Sequence, residues 1–199
     1  MSSKNFIQSY LGEMRGAIGD ISVEDINSVV ELLYDAWQKG GQVFICGNGG
    51  SASTATHFVC DLSKSTIVEG KKRFIAYCLN DNVPLVSALT NDDGFDNIYY
   101  EQLRERFKKG DVLICISVHG GAGKDKAGLW SQNLLKAMKY AQDMEGKTIG
   151  LSGFDGGPMK EIADACIVVP ANSTPHVESL HLAMEHLICS CLKEKITNS

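Results

Sequence analysis

Two pairs of chemically active side chains stand out because each pair would share one helix face. His57 and Asp61 are four residues apart, and Glu178 and His181 are three apart. Residues at these spacings project from the same side of a helix, one turn apart. If the two helices adjoin, the pairs supply the nitrogen and oxygen donors that bind Zn²⁺ or, without metal, an acid and a base. A helix-surface hydrogen bond is the other interpretation of each pair taken singly.

A glycine-rich segment at residues 46–53 directly follows a β-like run and leads into a helix. It has neither the lysine of a Walker loop nor the spacing of a dinucleotide-binding fingerprint. Glycines let the backbone approach an anion, and serines beside a helix N-terminus donate hydrogen bonds to it. The segment therefore predicts a phosphate site with Ser51 and Ser53 as donors, whereas an ordinary strand-to-helix turn would need fewer glycines.

The elements that must position these groups alternate between strand-like and helical runs. Such alternation is typical of parallel βαβ units, and strands that lie between two helical layers are apolar without strict alternation. Two helices are predicted before the sheet, over residues 5–18 and 23–39, and a long one after it, over residues 174–193. The strand-like runs cover residues 42–46, 74–79, 112–117, 148–151 and 166–169.

The chain is predicted to form one domain. No linker, repeat or low-complexity segment divides its 199 residues, and 44% of them are hydrophobic, which is enough for one continuous core. We expect a single domain over residues 1–199, with N-terminal helices at residues 1–40 and an α/β core at residues 41–199. The N-terminal helices form either a layer of that domain or an interface between copies, and we favour the interface.

Charge and composition exclude several classes of protein. A net charge of −5 and the lack of a basic stripe argue against nucleic-acid binding. No apolar run approaches the ~20 residues that cross a bilayer, and the N-terminus does not resemble a secretion signal. The seven cysteines are odd in number and form no CxxC pair, so they indicate small buried side chains in a reducing compartment. We expect a cytoplasmic protein.

Polar, glycine-rich segments follow the predicted strands at residues 90–94, 117–123 and 152–157, in addition to the 46–53 loop. Ligands of open α/β sheets bind beyond the carboxyl ends of the strands, where these segments should converge. Asparagine, aspartate and serine side chains there suit a small, polyhydroxylated, phosphorylated ligand. For Gly156 and Gly157, a purely structural turn is an equally good interpretation.

The residues of these motifs carry a resemblance to a known family. Residues 47–57 (GNGGSASTATH) resemble the signature of the phosphoheptose isomerases, which are sugar isomerase (SIS) proteins, and segments at 90–92, 110–114, 151–157 and 174–181 match further family motifs in order. The resemblance implies a flavodoxin-like, three-layer αβα sandwich with a five-stranded parallel sheet. It also implies a homotetramer whose active sites are shared between subunits.

The resemblance further implies an aldose–ketose isomerase that converts sedoheptulose 7-phosphate to D-glycero-D-manno-heptose 7-phosphate through an enediol. Asp61 matches the family's base and His181 its acid. Some members bind zinc with the same groups, and the implied metal ligands here are His57, Asp61, Glu178 and His181. The implied substrate contacts are Asn48, Gly49, Gly50, Ser51, Ser53, Asn91, Asp92, Ser117, His119, Lys124, Thr174 and Glu178.

Three departures from the family pattern bear on these roles. Asp61 stands where the family has glutamate and is shorter by one methylene, which would displace a base. Glu178 stands where the family has glutamine, and its added charge favours a bound metal. The segment at residues 118–133 replaces a shorter phosphate segment; His119 and Lys124 could restore the lost donors, or the segment could recognise another sugar or be a solvated insertion.

Two other functions remain open from the sequence. The chain could isomerise a different sugar phosphate, or it could be a non-catalytic SIS protein that binds a sugar phosphate or assists assembly. Loss of the base would favour the binding protein. Because Asp61 is an altered base rather than a lost one, the sequence favours the isomerase.

Overall fold

The computed structural model describes residues 2–121 and 131–199. At its centre is a parallel sheet of five strands, β1 (Gln42–Gly47), β2 (Ile75–Cys78), β3 (Val112–Ile116), β4 (Lys147–Gly153) and β5 (Ala165–Val169). Their order is β2-β1-β3-β4-β5. The strand order reverses between β1 and β3, which creates a crevice at the carboxyl ends of these two strands. The predicted parallel sheet is confirmed, and no strand boundary differs from the predicted one by more than two residues.

Helices cover both faces of the sheet. A short 3-10 helix, Phe95–Asn97, lies among them. In the described ranges, the α-helices are α1 (Ser3–Gly19), α2 (Val23–Lys39), α3 (Gly50–Lys64), α4 (Val83–Asp92), α5 (Ile98–Leu103), α6 (Gln132–Asp143), α7 (Gly157–Ile162) and α8 (Thr174–Thr197).

Successive residues of the central strands point to opposite faces of the sheet. Ile45 and Ile114 belong to an apolar cluster formed with α2, α3 and α8, whereas Phe44 and Leu113 belong to a second cluster formed with α5 and α6. Full burial of each such side chain contributes about 1.5–3 kcal/mol. The two clusters make the chain a three-layer αβα sandwich, as predicted.

Helix α2 shows how local sequence sets the limits of an element. The Ser22 hydroxyl accepts a hydrogen bond from the backbone N–H of Asp25 at 3.1 Å, which satisfies a donor that the first turn leaves unpaired. At the other end, Gly40 adopts a left-handed conformation with φ of 77° and terminates the helix. Between them, the fully buried Val29 and Leu33 attach α2 to the sheet. The observed helix has the predicted bounds.

The turns that follow β3 and β4 are packed backbone against backbone. Gly120, with φ of 60°, lies so close to the carbonyl oxygen of Gly156 that a Cβ would not fit. Gly157, with φ of 54°, has the same relation to the carbonyl oxygen of His119. The N–H of Met159 donates to the carbonyl of Gly120 at 2.9 Å. Glycines 156 and 157 therefore have a packing role, and they fix the turn after β3.

Two helices on the outside of the sandwich keep apolar side chains exposed. In α1 only Ala17 is buried, while Phe6 and Leu11 remain more than half exposed. Helix α4 buries no residue at all and exposes Val83 and Leu85. No helix within residues 2–121 and 131–199 is both long and apolar enough to span a membrane. An interface role for the N-terminal helices stays a prediction.

Candidate active site

The glycine-rich loop lies between β1 and α3, as predicted. Helix α3 begins at Gly50, and Gly49 precedes it with φ of 57° and ψ of −125°, a combination that favours glycine. A Cβ at Gly47 would lie 2.6 Å from the backbone oxygen of Ser51, so the loop must be this tight. The positive end of the α3 dipole therefore points to the sheet edge, where anions are stabilised.

A cavity of about 130 Å³ opens beside this helix terminus. Residues of the 46–53 loop, the turn after β3, the start of α6 and helix α8 form its walls. Ser51 and Ser117, both largely buried, contribute hydroxyl groups. The lining residues are Asn48, Ser51, Ile116, Ser117, Val118, His119, Gly121, Ser131 and Glu178.

A network of side-chain hydrogen bonds fixes the 46–53 loop. The amide nitrogen of Asn48 donates to the Asn133 side-chain oxygen at 3.0 Å and to the Ser131 hydroxyl at 3.2 Å. The Asn48 oxygen accepts from the Asn133 amide and from the Tyr99 hydroxyl, each at 3.0 Å. Tyr99 also donates to the carbonyl of Gly47. Asn48 is thus held by protein groups and serves the loop's geometry.

A second group of side chains lies farther along α3, where it meets α8. His57 and Asp61 come from α3, and Glu185 and His186 come from α8. One ligand atom from each of the four residues lies within 4.8 Å of the others. The two imidazole Nε2 atoms are 3.3 Å apart, and a carboxylate oxygen of Asp61 lies 3.5 Å from the Nε2 of His186. This set of donors could hold a metal ion.

The two carboxylates of this cluster, Asp61 and Glu185, repel each other when both are charged. Glu185 has no exposed surface, and neither of its carboxylate oxygens has a hydrogen-bond partner among the described residues. Burial raises the pKa of Glu185 to about 8, and the nearby charge of Asp61 adds to the rise. Two imidazoles and two carboxylates are donors that Zn²⁺ and similar divalent ions accept, so the residues fit such an ion.

Comparison with known proteins identifies the family to which this architecture belongs. The SIS domain model matches residues 9–153 of the chain. The chain belongs to the SIS-domain family. A phosphoheptose isomerase from Helicobacter pylori is 37% identical to it over 170 residues, which are 85% of this chain and 83% of that protein.

Two further proteins are similar to this chain over most of its length. The lincomycin biosynthesis protein LmbN of Streptomyces lincolnensis is 38% identical over 187 residues, which are 92% of this chain and 67% of that protein. The structure of the phosphoheptose isomerase GmhA from Neisseria gonorrhoeae superposes with a TM-score of 0.85 at 27% identity, covering 97% of this chain and 100% of that one. The similarity thus extends over nearly the whole SIS domain.

The position of His181 in the SIS domain corrects one part of the predicted site. The structure brings His57 and Asp61 together as expected, but His181 lies outside their cluster. It has no exposed surface, and its Nε2 is 3.0 Å from the carbonyl oxygen of Ser152 on β4. Burial lowers its pKa to about 4, only partly offset by that hydrogen bond, so it is neutral near pH 7. His186, five residues farther along α8, lies in the cluster where His181 was predicted to lie.

Glu178 also lies away from the predicted metal ligands. It is seven residues before Glu185, so about 10 Å separates the two along α8. Its carboxylate packs against Gly50 at the start of α3, where it lines the cavity. Glu185, and not Glu178, lies in the cluster with His57, Asp61 and His186.

The structure places some of the other predicted substrate contacts at the cavity and others away from it. Ser51, Ser117 and His119 line the cavity, whereas the exposed Ser53 does not. Asn91 and Asp92 lie at the exposed end of α4, where the Asn91 amide donates to the Asp92 carboxylate at 2.6 Å. Gly49, just before α3, and Thr174, at the start of α8, are exposed. Lys124 lies outside the described residues.

Sequence reasoning missed three residues that the structure brings to this region. Ser131 lines the cavity and holds Asn48. Glu185 and His186 complete the cluster with α3. A sequence signal for the last two did exist, because they follow Glu178 by seven and eight residues, which is two helical turns and therefore the same face.

Proposed function

We propose that this chain is a phosphoheptose isomerase that interconverts sedoheptulose 7-phosphate and D-glycero-D-manno-heptose 7-phosphate. One observation carries the proposal: α3 begins at a serine-lined cavity and bears, farther along, part of a cluster of two imidazoles and two carboxylates. Relatives named phosphoheptose isomerases support the choice of substrate.

The spacing along α3 supports a long sugar. Six residues separate Ser51 from His57, which corresponds to about 9 Å along the helix. A seven-carbon sugar phosphate carries its phosphate at one end of the chain and its reacting carbonyl at the other. The phosphate would lie at Ser51 and Ser117, and the carbonyl end would extend toward the cluster.

Asp61 and His186 are the residues that we assign to proton transfer. Isomerisation removes a proton from the carbon beside the carbonyl and returns one to its neighbour, which requires a base and an acid. The Asp61 carboxylate is the base, and the His186 imidazole, whose side chain is 49% exposed, is the acid. His181 cannot take that role because it has no exposed surface and its ring is bonded to Ser152.

A divalent ion, with Zn²⁺ as the favoured identity, is part of the proposal. His57, Asp61 and Glu185 would hold it, with the second oxygen of Asp61 and the His186 imidazole left for proton transfer. When bound, it supplies Lewis-acid polarisation of the substrate carbonyl.

Self-association is the last part of the proposal. The apolar side chains exposed on α1 and α4 support a homo-oligomer, with a tetramer as the expected form. A phosphorylated sugar substrate supports a cytoplasmic location.

Conversion of sedoheptulose 7-phosphate, followed by NMR of the product's anomeric signal, tests the function. Asp61→Asn and His186→Gln should each lower kcat by about 10²–10⁴-fold, the usual contribution of a general acid or base. Cys60→Ser is the control, because Cys60 is an exposed residue of the same helix beside Asp61. Failure of the zinc-loaded, unaltered protein to convert the sugar would contradict the proposal.

A further inference from the structure

The outer edge of strand β2 carries backbone groups that no neighbouring strand uses. Among the described residues, β2 is at the end of the sheet order and pairs only with β1. The N–H of Leu79 donates to the carbonyl of Ile45 at 2.9 Å, so the backbone groups of the odd-numbered residues of β2 face β1. Those of Ala76 and Cys78 face away from it and have no backbone partner in the described part of the chain. Such an edge is a template to which another strand can add.

The side chains on one face of β2 leave an apolar patch open. Ile75 is 46% exposed and Tyr77 is 37% exposed. The Tyr77 ring stacks on Phe44 with 5.4 Å between centroids, and the guanidinium of Arg106 lies 5.2 Å from the Tyr77 centroid. These contacts hold Tyr77 in place and use ring surface that a stacked nucleobase would need. The patch therefore suits an aliphatic side chain better than a base.

Three exposed cationic side chains adjoin this patch. Arg73 precedes Ile75 by two residues and so lies on the same face of the strand. Arg106 contacts Tyr77, and Lys108 lines a cavity of about 730 Å³ together with Ile75. None of the three cations has an acidic partner within the ranges that the structure describes.

The acidic side chains of that cavity are already bound to other groups. Asp35 pairs with Lys39 at 2.7 Å, and Glu145 pairs with Lys109 at 2.6 Å. The buried carboxylate of Asp111 accepts hydrogen bonds from backbone N–H groups, including that of Lys108 at 2.8 Å. The β2 edge is therefore a locally positive surface on a chain whose net charge is −5.

We propose that the β2 edge binds an extended, acidic segment of a partner protein, which adds to the sheet as a further strand. The free backbone groups of β2 supply the main-chain hydrogen bonds of strand addition, and the three cations pair with carboxylates of the segment. Its apolar side chains cover Ile75 and Tyr77. A second copy of this chain is a poorer occupant, because two β2 edges joined side by side would bring two sets of these cations together.

A charge-reversal pair tests the surface. The probe is a fluorescent, end-capped, six-residue peptide of alternating glutamate and valine, whose binding to the full-length protein is measured by anisotropy. Arg106→Glu should weaken binding by at least about tenfold, since it replaces an attraction with a repulsion. Arg15→Glu makes the same change of charge at an exposed position of α1 and should leave the affinity unchanged. A lysine–valine peptide of the same length should not bind.

Hydrogen exchange distinguishes strand addition from a merely electrostatic contact. The amide hydrogens of Ala76 and Cys78 should exchange more slowly when the glutamate–valine peptide is bound, because they then donate to it. A peptide with one internal valine replaced by proline lacks a backbone donor and should bind more weakly. Three results would overturn the proposal: no saturable binding, unchanged exchange in β2, or equal affinity in Arg106→Glu and Arg15→Glu. Tighter binding of a labelled oligothymidylate that Arg106→Glu abolishes would overturn it in favour of a nucleic-acid site.

Discussion

The protonation of His181 is tied to folding. Its Nε2 lies 3.0 Å from the Ser152 carbonyl, so Nε2 carries the hydrogen, and Nδ1 has no partner among the described residues. Complete burial disfavours the imidazolium and lowers the pKa to about 4, whereas an unfolded histidine has a pKa of about 6.5. The unfolded chain therefore takes up this proton first.

Through His181 alone, this difference predicts a loss of stability in mild acid, whereas Glu185, with its raised pKa, acts in the opposite direction. The contribution of His181 is complete above about pH 6.5 and is lost as the pH falls toward 4, with about 2 kcal/mol lost between pH 7 and 5. Urea unfolding at both pH values measures it. His181→Gln, which cannot titrate, should show a correspondingly smaller decrease in the free energy of unfolding. The same decrease in both proteins would mean that other groups cause the acid sensitivity.

At the scale of single residues, the spacing of His57 and Asp61 predicted the face of α3 that forms the cluster. On α8 the prediction chose His181, whereas the cluster contains His186, five residues farther along. His57 and Asp61 share a face of α3, whose apolar side is narrow and leaves no doubt about orientation. Helix α8 buries ten of its residues, among them His181 and Glu185, so its pattern does not show which side meets α3. Helical periodicity alone cannot separate His181 from His186, and only the packing of α8 on α3 does so.

At the scale of elements, the phosphate loop depends on three side chains from other parts of the fold. Asn80 follows β2, Tyr99 lies on α5, and Asn133 lies at the start of α6; all three bond to Gly47 or Asn48. Burial raises the pKa of Tyr99, so its hydroxyl stays a neutral donor. The loop is thereby fixed before a ligand arrives, which reduces the entropy lost on binding.

Removal of one hydroxyl group should therefore weaken phosphate binding without altering proton transfer. Tyr99→Phe loses the bonds to Gly47 and Asn48, worth about 1–3 kcal/mol, and should raise KM for the sugar phosphate roughly 5- to 150-fold. Because Asp61 and His186 are farther along α3, kcat should change little. Tyr100→Phe is the control, since the Tyr100 ring contacts Tyr140 on α6 instead of the loop. An effect on kcat alone would contradict this role for Tyr99.

The strands and the long helices could be predicted because each has a strong local signal. Branched apolar runs mark the strands, and Ser22 and Gly40 mark the ends of α2. The segment at residues 90–94 was misplaced because its polar residues suggested a loop, whereas residues 90–92 complete α4, are exposed and do not line the cavity. Long-range packing decides that placement, and no local pattern contains it.

At the scale of the whole molecule, α4 is an incompletely buried helix. It has no buried residue, and Val83, Leu85 and the nearby Phe95 are exposed. An amphipathic helix of this kind gains most of its stability from tertiary packing, so a second copy of the chain is the partner expected to cover it.

Charge placed on α4 should therefore weaken self-association. Leu85→Asp should raise the dissociation constant of the oligomer by at least about tenfold, because a carboxylate in an apolar interface costs more than 1.4 kcal/mol. Light scattering during gel filtration measures the mass. Asn198→Asp adds the same charge at the exposed C-terminus and should leave the mass unchanged. An unchanged mass in Leu85→Asp would mean that another surface joins the copies.

The contact between the turns after β3 and β4 limits which substitutions this sequence can accept during evolution. A Cβ at Gly120 or Gly157 would meet backbone carbonyl oxygens, which cannot move aside as a flexible side chain can. By contrast, no such backbone contact is shown for His119 and Ser131, which line the cavity. Relatives that act on another sugar should therefore differ at the cavity residues while keeping both glycines, although neither glycine lines the cavity.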